Sequence, residues 1–133
     1  MKMSRMNALQ VPKRFKHCQS AFDLDDFKRD VKGKKVYVLI DEALKENNII
    51  GFGAVDEENG VLTDFFVLNK YRTTDAGREF LKFFEAEYPS LVVRNRVRDI
   101  FMLNFLSKYD YKILSKSCDY FKVDYMYLQN VRG

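Results

Sequence analysis

The sequence has few of the residues that build disulfide frameworks or metal centres. In 133 residues, cysteine occurs only as Cys18 and Cys118, and histidine only as His17. Two cysteines do not make the dense pattern of a disulfide-stabilised domain, and one histidine gives no ligand cluster for a metal. His17 and Cys18 are adjacent, and adjacent side chains rarely face each other as a base and a thiol. We therefore expect reduced thiols in a cytoplasmic protein without a bound metal.

Long apolar runs are also missing. No stretch reaches the about 18 apolar residues that a helix needs to span a bilayer, so we expect no membrane partner. The first residues carry charges and lack the apolar core of a signal peptide, so no secretory leader is expected. The sequence contains no internal repeat and no low-complexity segment.

The composition suits a single packed domain spanning residues 1–133. A hydrophobic fraction of 47% and an aromatic fraction of 15% are sufficient for one core and argue against disorder. The net charge of +4 would favour an anionic ligand, although a solvated basic surface explains it equally well. Nucleic acid is not an expected partner, because only this charge and no recognisable motif would support it.

The N-terminal part of the chain is predicted to hold one strand and one helix. Residues 1–19 form a basic arm, in which Pro12 interrupts any helix and residues 6–11 are predicted to form a first edge strand. Residues 20–31 are predicted to form a helix capped by Ser20.

Three apolar segments then predict an antiparallel meander. They cover residues 36–40, 49–55 and 61–68, and short polar turns join them. Gly51 and Gly53 lie two residues apart in the middle segment and would face the same side of the sheet. Such a pair in a strand marks a close approach by another element or by a ligand.

The rest of the chain alternates helices and strands. After a polar loop over residues 69–74, we predict a helix with Phe80, Leu81, Phe84 and Tyr88 on one face. A strand over residues 91–95 and a second helix over residues 98–108 are predicted to follow. The chain is predicted to close with a hairpin, in which residues 111–114 pair with residues 121–128 and the turn lies around residues 117–119. In the second of these helices, Ile100, Leu103 and Leu106 mark the predicted buried face. This order predicts an α+β fold with one mixed, mostly antiparallel central sheet flanked by helices, and with residues 61–68 at its centre.

The strand–loop–helix segment over residues 60–88 has the geometry of an anion site. The first backbone N–H groups of a helix have no partner within it, and the helix dipole places partial positive charge there. Thr74 is the expected N-cap, and Asp75 lies in the first turn. The pattern is typical both of a phosphate site and of an ordinary helix start.

The same segment resembles a known family motif. FFVLNKYRTTDAGR, from Phe65 to Arg78, resembles the pyrophosphate-binding segment of the GNAT superfamily of N-acetyltransferases. That motif is a hydrophobic strand, an Arg or Gln, two residues, a Gly, one residue, and a Gly or Ala. Arg72 and Gly77 stand at its matching ends, and Asp75 stands where the family has its first glycine.

A second resemblance lies in the last third of the chain. DIFMLNFLSKYDY, from Asp99 to Tyr111, is similar in spacing to the family's Asn-x-x-Ala-x-x-Phe-Tyr-x-x-x-Gly-Phe segment. Asp99, Met102, Leu106 and Asp110 replace the family's Asn, Ala, Tyr and Gly. The resemblance runs from about residue 20 to the end, and the tail also looks like small GNAT-like proteins of tailed bacteriophages.

The resemblance implies a GNAT-like acyl-CoA N-acyltransferase fold and an acetyl-CoA-dependent N-acetyltransferase. Backbone groups of Phe65, Phe66 and Val67 would contact the pantetheine arm of coenzyme A. The remaining cofactor-binding residues implied are Arg72, Thr73, Thr74, Asp75, Ala76, Gly77 and Arg78. The acceptor would be an amine, on a small molecule or a protein, that the sequence does not identify.

The catalytic groups stay open at this point. The tyrosine that protonates the leaving thiolate in the family falls on Leu106, which has no exchangeable proton, and Tyr109 or Tyr111 would have to replace it. Asp99 and Asp64 are candidates for the base. A carboxylate at Asp75, about 5 Å from one phosphate charge, costs roughly 3 kcal/mol at an effective dielectric constant of about 20. The alternative function is therefore a GNAT-fold binding module without catalysis, for a host or virion protein.

Overall fold

The structure, a computed structural model, describes residues 1–6, 33–72, 74–118 and 124–131. For Asn69 and Arg72 it describes the backbone only. The predicted helix over residues 20–31 and most of the predicted first strand lie outside these residues. The strands are β1 (Lys2–Met6), β2 (Lys35–Ile40), β3 (Ile49–Asp56), β4 (Val61–Val67), β5 (Val92–Arg96), β6 (Tyr111–Cys118) and β7 (Asp124–Asn130). The helices are α1 (Asn69–Arg72), α2 (Asp75–Glu87) and α3 (Ile100–Lys108).

The seven strands form one mixed sheet with the order β1-β2-β3-β4-β5-β7-β6. The pair β4–β5 is parallel, and the other five pairs are antiparallel. The predicted meander β2–β3–β4 is confirmed, and β4 is the fourth of the seven strands. The α+β fold class and the mostly antiparallel sheet with a central β4 are therefore confirmed.

Two predicted boundaries are wrong, and one strand was not predicted. The unpredicted strand is β1, which pairs with β2 from Lys2↔Ile40 to Met6↔Val36, whereas residues 7–11 of the predicted first strand lie outside the described residues. The hairpin strands β6 and β7 are paired as far as Cys118↔Asp124, so Ser117 and Cys118 belong to β6 and not to the predicted turn. The predicted loop over residues 69–74 contains the helical turn α1. In each case pairing or local hydrogen bonding extends regular structure beyond what the apolar pattern indicates.

The core on one face of the sheet is built around α2. Phe80, Leu81 and Phe84 of this helix are fully buried, as the periodicity predicts. A Cβ atom on Gly53 would collide with the Phe84 ring, and one on Gly51 would lie 2.7 Å from the Phe66 carbonyl oxygen. The two strand glycines thus make room for neighbouring protein elements, and the expected close approach at Gly53 is that of α2.

The buried face of α3 differs from the predicted one. Met102, Phe105 and Leu106 are buried, whereas Ile100 is 61% exposed and Phe101 is 68% exposed. The run IFMLNFL is apolar on nearly every side, so its sequence alone does not fix which face turns inward. Packing of Phe105 against Gly77 of α2 and against Phe65 of β4 selects the observed face.

At the far edge of the sheet, β6 pairs only with β7. Apart from Tyr111, all its residues are exposed, including Ile113 at 47% and Leu114 at 58%. The pairing shifts register between Ile113 and Ser115, so Leu114 is an extra residue in this strand. Just before β6, Asp110 has a left-handed backbone with φ of 67°, at the position where the family motif has glycine.

Candidate functional site

The candidate site is a gap between the neighbouring parallel strands β4 and β5. Their pairing consists of Val61↔Val92 and Leu62↔Val93. Both strands, which the structure describes in full, continue beyond these pairs, β4 to Val67 and β5 to Arg96. The two strands therefore separate toward their C-terminal ends, and we call the space between them the wedge.

A β-bulge lies where the wedge opens. Ala54 of β3 pairs with Asp64, and Val55 pairs with Leu62, so Thr63 is an extra residue in β4. The Thr63 hydroxyl oxygen lies 3.3 Å from the Ala54 carbonyl oxygen. From β5, the Arg94 Nε donates to the Thr63 carbonyl oxygen at 3.2 Å. Because a bulge bends the strand that carries it, Thr63 accounts for the departure of β4 from β5.

Backbone groups of β4 line the wedge. The Leu68 N–H donates to the Ile50 carbonyl oxygen of β3, and Phe66 lies opposite Phe52. Backbone groups alternate along a strand, so the N–H and C=O groups of Phe65 face away from β3 and toward the wedge. They can pair with an extended, amide-containing chain lying along β4.

The side chains of Phe65, Phe66 and Val67 are buried and take no part in lining the wedge. The Phe65 ring stacks on Phe80, with centroids 5.6 Å apart, and Phe66 stacks on Phe52 on the other face of the sheet. The sequence singled out this segment for its backbone, and in the structure the backbone groups of Phe65 face the wedge.

The wide end of the wedge leads to the start of α2. Thr74 is the N-cap, as predicted, and its Oγ1 accepts the Ala76 N–H at 3.3 Å. The Thr74 hydroxyl donates to the Tyr71 carbonyl oxygen at 2.8 Å. Thr73 lies outside the described residues. The remaining first-turn N–H groups of α2 point out of the helix end, where an anion would be stabilised.

Gly77 and Asp75 differ in their surroundings. Gly77 is buried, and a Cβ atom there would lie 3.2 Å from the Phe105 ring and 3.2 Å from the Tyr71 carbonyl oxygen. Helix packing thus accounts for this glycine without any phosphate. Asp75 is exposed at the first position of α2, where its negative charge favours the helix dipole.

Arg78 does not extend toward the first turn of α2. Its Nη1 lies 3.1 Å from Glu85 Oε1, two turns further along the helix, and its guanidinium lies 4.6 Å from the centre of the Tyr109 ring. Both charged side chains are 25% exposed. This arrangement holds the positive charge of Arg78 beside α3 and away from the helix start.

The two candidate tyrosines lie in this same region. Tyr111 is 1% exposed, and its hydroxyl donates to Glu85 Oε2 at 3.0 Å. Burial, followed by the negative charge of Glu85, raises the pKa of Tyr111 well above its usual range. Tyr109 is half-buried and packs edge-on against Phe105, with centroids 5.1 Å apart. The structure thus makes Tyr111 a buried donor to Glu85, a contact that no local sequence pattern indicates.

The two candidate bases have different local partners. Asp99 is the N-cap of α3, and its Oδ1 accepts the Met102 N–H at 3.1 Å. Asp64 follows the bulge, and its Oδ2 accepts the Thr63 hydroxyl at 2.9 Å. The polar pair Thr63–Asp64 interrupts an apolar strand, which is the signal that marks the bulge in the sequence.

Two kinds of feature, a metal-binding cluster and a membrane-spanning helix, are absent from the part of the chain that the structure describes. There, no three side chains of His, Cys, Asp or Glu come close enough together to hold a metal ion. No helix in that part is both long and apolar enough to cross a membrane.

Known structures share this architecture. The solution structure of apo YjaB from Escherichia coli superposes with a TM-score of 0.71 at 15% identity, over 98% of this chain and 99% of that one. A GNAT family acetyltransferase from Elizabethkingia anophelis, with acetyl-CoA bound, gives 0.71 at 15% identity, over 97% and 96%. The chain has the GNAT fold. Naa20 of Chaetomium thermophilum, in complex with a bisubstrate analogue, gives 0.69 at 14% identity, over 98% and 86%.

At the level of sequence there is no corresponding match. No family model matches this chain, and no curated protein matches it. The GNAT fold of the chain is therefore established by structure, at identities too low to carry over what the similar proteins bind.

Proposed function

We propose that the protein is an acetyl-CoA-dependent N-acetyltransferase. The observation that carries this proposal is the wedge, which places the backbone edge of β4 in line with the start of α2. An extended amide-containing arm along the Phe65 edge of β4 would bring a pyrophosphate to the helix end. Two of the similar structures hold acetyl-CoA or a bisubstrate analogue, which supports the same cofactor here.

In this proposal the cofactor is held mainly by backbone. Phe65 offers its wedge-facing N–H and C=O groups to the pantetheine arm, and the first-turn N–H groups of Asp75 and Gly77 would face the pyrophosphate. Arg78 makes no direct contact, because its N–H follows the first turn and its side chain is bound to Glu85. Lys70 is exposed and precedes α2, so its ammonium group can approach the phosphates.

The reaction requires a proton acceptor for the amine and a proton donor for the leaving thiolate. We propose Asp64 as the acceptor, because it lies beside the bulge where the wedge opens, whereas the carboxylate of Asp99 caps α3. We propose Tyr109 as the donor, since Tyr111 is buried and its hydroxyl is used by Glu85.

The alternative is a GNAT-fold binding module without catalysis. Leu106, at the position of the family's acid, is fully buried and supplies no proton. Asp75 is exposed at the helix start, where its charge would oppose a pyrophosphate. Both features would be tolerated in a protein that has no cofactor.

Titration calorimetry with acetyl-CoA separates the two functions, and amide hydrogen exchange by NMR locates the ligand. We expect micromolar binding and slower exchange at Phe65, whose N–H group faces the wedge. The Phe66 amide is the internal control, because it already faces β3 and should not change. Absence of binding, or protection elsewhere on the chain, would refute the proposal.

A further inference from the structure

One hydrogen bond ties the β2–β3 connection to the segment that precedes α2. The Tyr71 hydroxyl donates to Asp41 Oδ2 at 2.7 Å, across 30 residues of sequence. Asp41 directly follows β2, and Tyr71 lies in α1. Neither residue lies in the wedge, and Tyr71 is a position of the resembling segment to which the family motif assigns no residue type. We call this contact the Asp41–Tyr71 bond.

Asp41 is held firmly by its own loop. Its Oδ1 accepts the Ala43 N–H at 3.1 Å, its N–H donates to the Asn48 carbonyl oxygen at 2.8 Å, and its carbonyl oxygen accepts the Leu44 N–H at 3.1 Å. The hydrogen bond from Tyr71, followed by that from Ala43, lowers the pKa of Asp41. Asp41 is therefore a fixed, charged acceptor, and hydrogen bonds to charged acceptors are the stronger kind.

Tyr71 is in turn hydrogen-bonded to the residue that begins α2. Its carbonyl oxygen accepts the Thr74 hydroxyl at 2.8 Å and the Thr74 N–H at 3.3 Å. Thr74 in turn caps α2 through the Ala76 N–H. The same carbonyl oxygen lies against Gly77. The position of the Tyr71 backbone thus sets both the N-cap and the space over the first turn.

The four-residue helix α1 has little stability of its own, since one helical turn is an unfavourable nucleus. The Tyr71 N–H donates to the Leu68 carbonyl oxygen at 2.8 Å, its ring packs against the hydrophobic core, and its hydroxyl reaches Asp41. Losing the hydroxyl of Tyr71 removes that contact without changing the size of the ring.

We propose that Asp41 and Tyr71 are positioning residues, which hold the first turn of α2 in the geometry that receives a phosphate. The ligand in this inference rests on the proposed function, whereas the positioning itself can be measured without any ligand. In consequence, the β2–β3 loop and the phosphate-binding turn behave as one unit, and binding at the turn slows motion in the loop.

The test compares Tyr71→Phe and Asp41→Asn with a matched control. Tyr88→Phe removes a hydroxyl that donates to Glu57 Oε2 at 3.0 Å, the same chemistry at another place in the fold. Amide exchange at residues 74–77 is measured by NMR, and acetyl-CoA affinity is measured by calorimetry. For Tyr71→Phe we expect exchange faster and affinity weaker by about threefold to tenfold, which is the loss of one such hydrogen bond. Asp41→Asn should lie between wild type and Tyr71→Phe, because an amide oxygen still accepts.

Each outcome decides the inference. Unchanged exchange in Tyr71→Phe, or equal acceleration in Tyr88→Phe, overturns it. Faster exchange with unchanged acetyl-CoA affinity overturns the positioning role at the phosphate. If the wild type does not bind acetyl-CoA, the proposed function fails, while faster exchange confined to Tyr71→Phe and Asp41→Asn still supports the positioning of the first turn.

Discussion

The two ends of α2 are built in opposite ways. At the first turn, residues 74–77, the contacts are made by backbone groups and by the Thr74 hydroxyl, and Asp75 is exposed. Further along, side chains dominate, and Glu85 accepts hydrogen bonds from Arg78, Tyr111 and Asn130. We call these four residues the Glu85 network. One helix thus keeps its stabilising charges at one end and leaves backbone donors at the other.

The two ends of α2 are therefore expected to affect different quantities, the free energy of unfolding and the affinity for a cofactor. The Glu85 network joins α2 to β6 and β7 and draws the Arg78 charge away from the helix start. Changes within it should alter the free energy of unfolding more than cofactor affinity. Changes in the first turn should do the reverse. The expected effects decrease in the order Glu85→Ala, Gly53→Ala, Asp75→Gly and Asp41→Asn.

Removal of the central carboxylate should have the largest effect. Glu85→Ala leaves the Arg78 guanidinium, which is 25% exposed, and the buried Tyr111 hydroxyl without their shared acceptor. We expect a loss of about 2–4 kcal/mol in the free energy of unfolding, because buried partners remain unsatisfied. Denaturant unfolding measures it. Glu79→Ala, which breaks an exposed pair with Lys82, is the control and should cost under about 0.5 kcal/mol. Equal losses in the two variants would contradict the role of the network.

The packing of α2 on β3 gives the next largest effect. A methyl group in Gly53→Ala would overlap the Phe84 ring and lie 3.1 Å from Leu62. We expect a loss of about 1–3 kcal/mol, as for other overpacked cores. Ser117→Ala in the exposed strand β6 is the control. Thermal unfolding of both variants checks the prediction, and a Gly53→Ala protein as stable as the control would show that α2 can move without cost.

The first turn is probed by Asp75→Gly, which removes its exposed charge. If the protein binds acetyl-CoA, affinity should rise by on the order of tenfold at low salt, less than the full Coulomb value because water screens the site. Stability should fall by about 1 kcal/mol, since glycine is a poor helix former and the favourable charge at the helix start is lost. Parallel titrations and melts of wild type and variant measure both quantities.

Glu79→Gln, which removes another exposed acid one turn further along, is the matched control and should change affinity less. A destabilised Asp75→Gly protein that shows no heat of binding would point to the binding module instead of the transferase.

The smallest effect is a pH dependence at the Asp41–Tyr71 bond. The pKa of Asp41 is lowered in the folded protein, chiefly by the Tyr71 hydroxyl. Its contribution to stability is therefore complete above the unfolded value, about pH 4, and is lost as the pH falls through the lower folded value. In Asp41→Asn the decline of the melting temperature below about pH 4 should be shallower than in wild type. Superimposable acid profiles would show that the bond contributes nothing.

The sequence predicted the local elements well and the relations between distant ones poorly. The meander β2–β4, the Thr74 cap and the buried Phe80–Phe84 face follow from periodicity and capping rules, which act within a few residues. The wedge does not, because it depends on Thr63 being the extra residue against Ala54 of β3. The Glu85 network joins residues up to 45 positions apart, and no local pattern predicts such pairs.

The candidate site shows the same division. The strand over residues 65–67 and the helix start at Thr74 could be inferred, since a resemblance in local sequence carries a local conformation. The actual contacts of Tyr109, Tyr111 and Arg78 could not, because each depends on how α3 rotates against α2. The apolar run from Ile100 to Leu106 leaves that rotation undetermined until Phe105 packs over Gly77.

The exposed edge strand β6 bears on how the protein behaves at high concentration. An open strand edge can recruit strands from other molecules and so seed aggregates. Here the extra residue Leu114 breaks the regular spacing of that edge, and Lys112 and Lys116 place positive charge on both sides of it. Two such edges that approach each other meet a kink and like charges. The strand thus combines an exposed edge with two features that disfavour its pairing with another molecule.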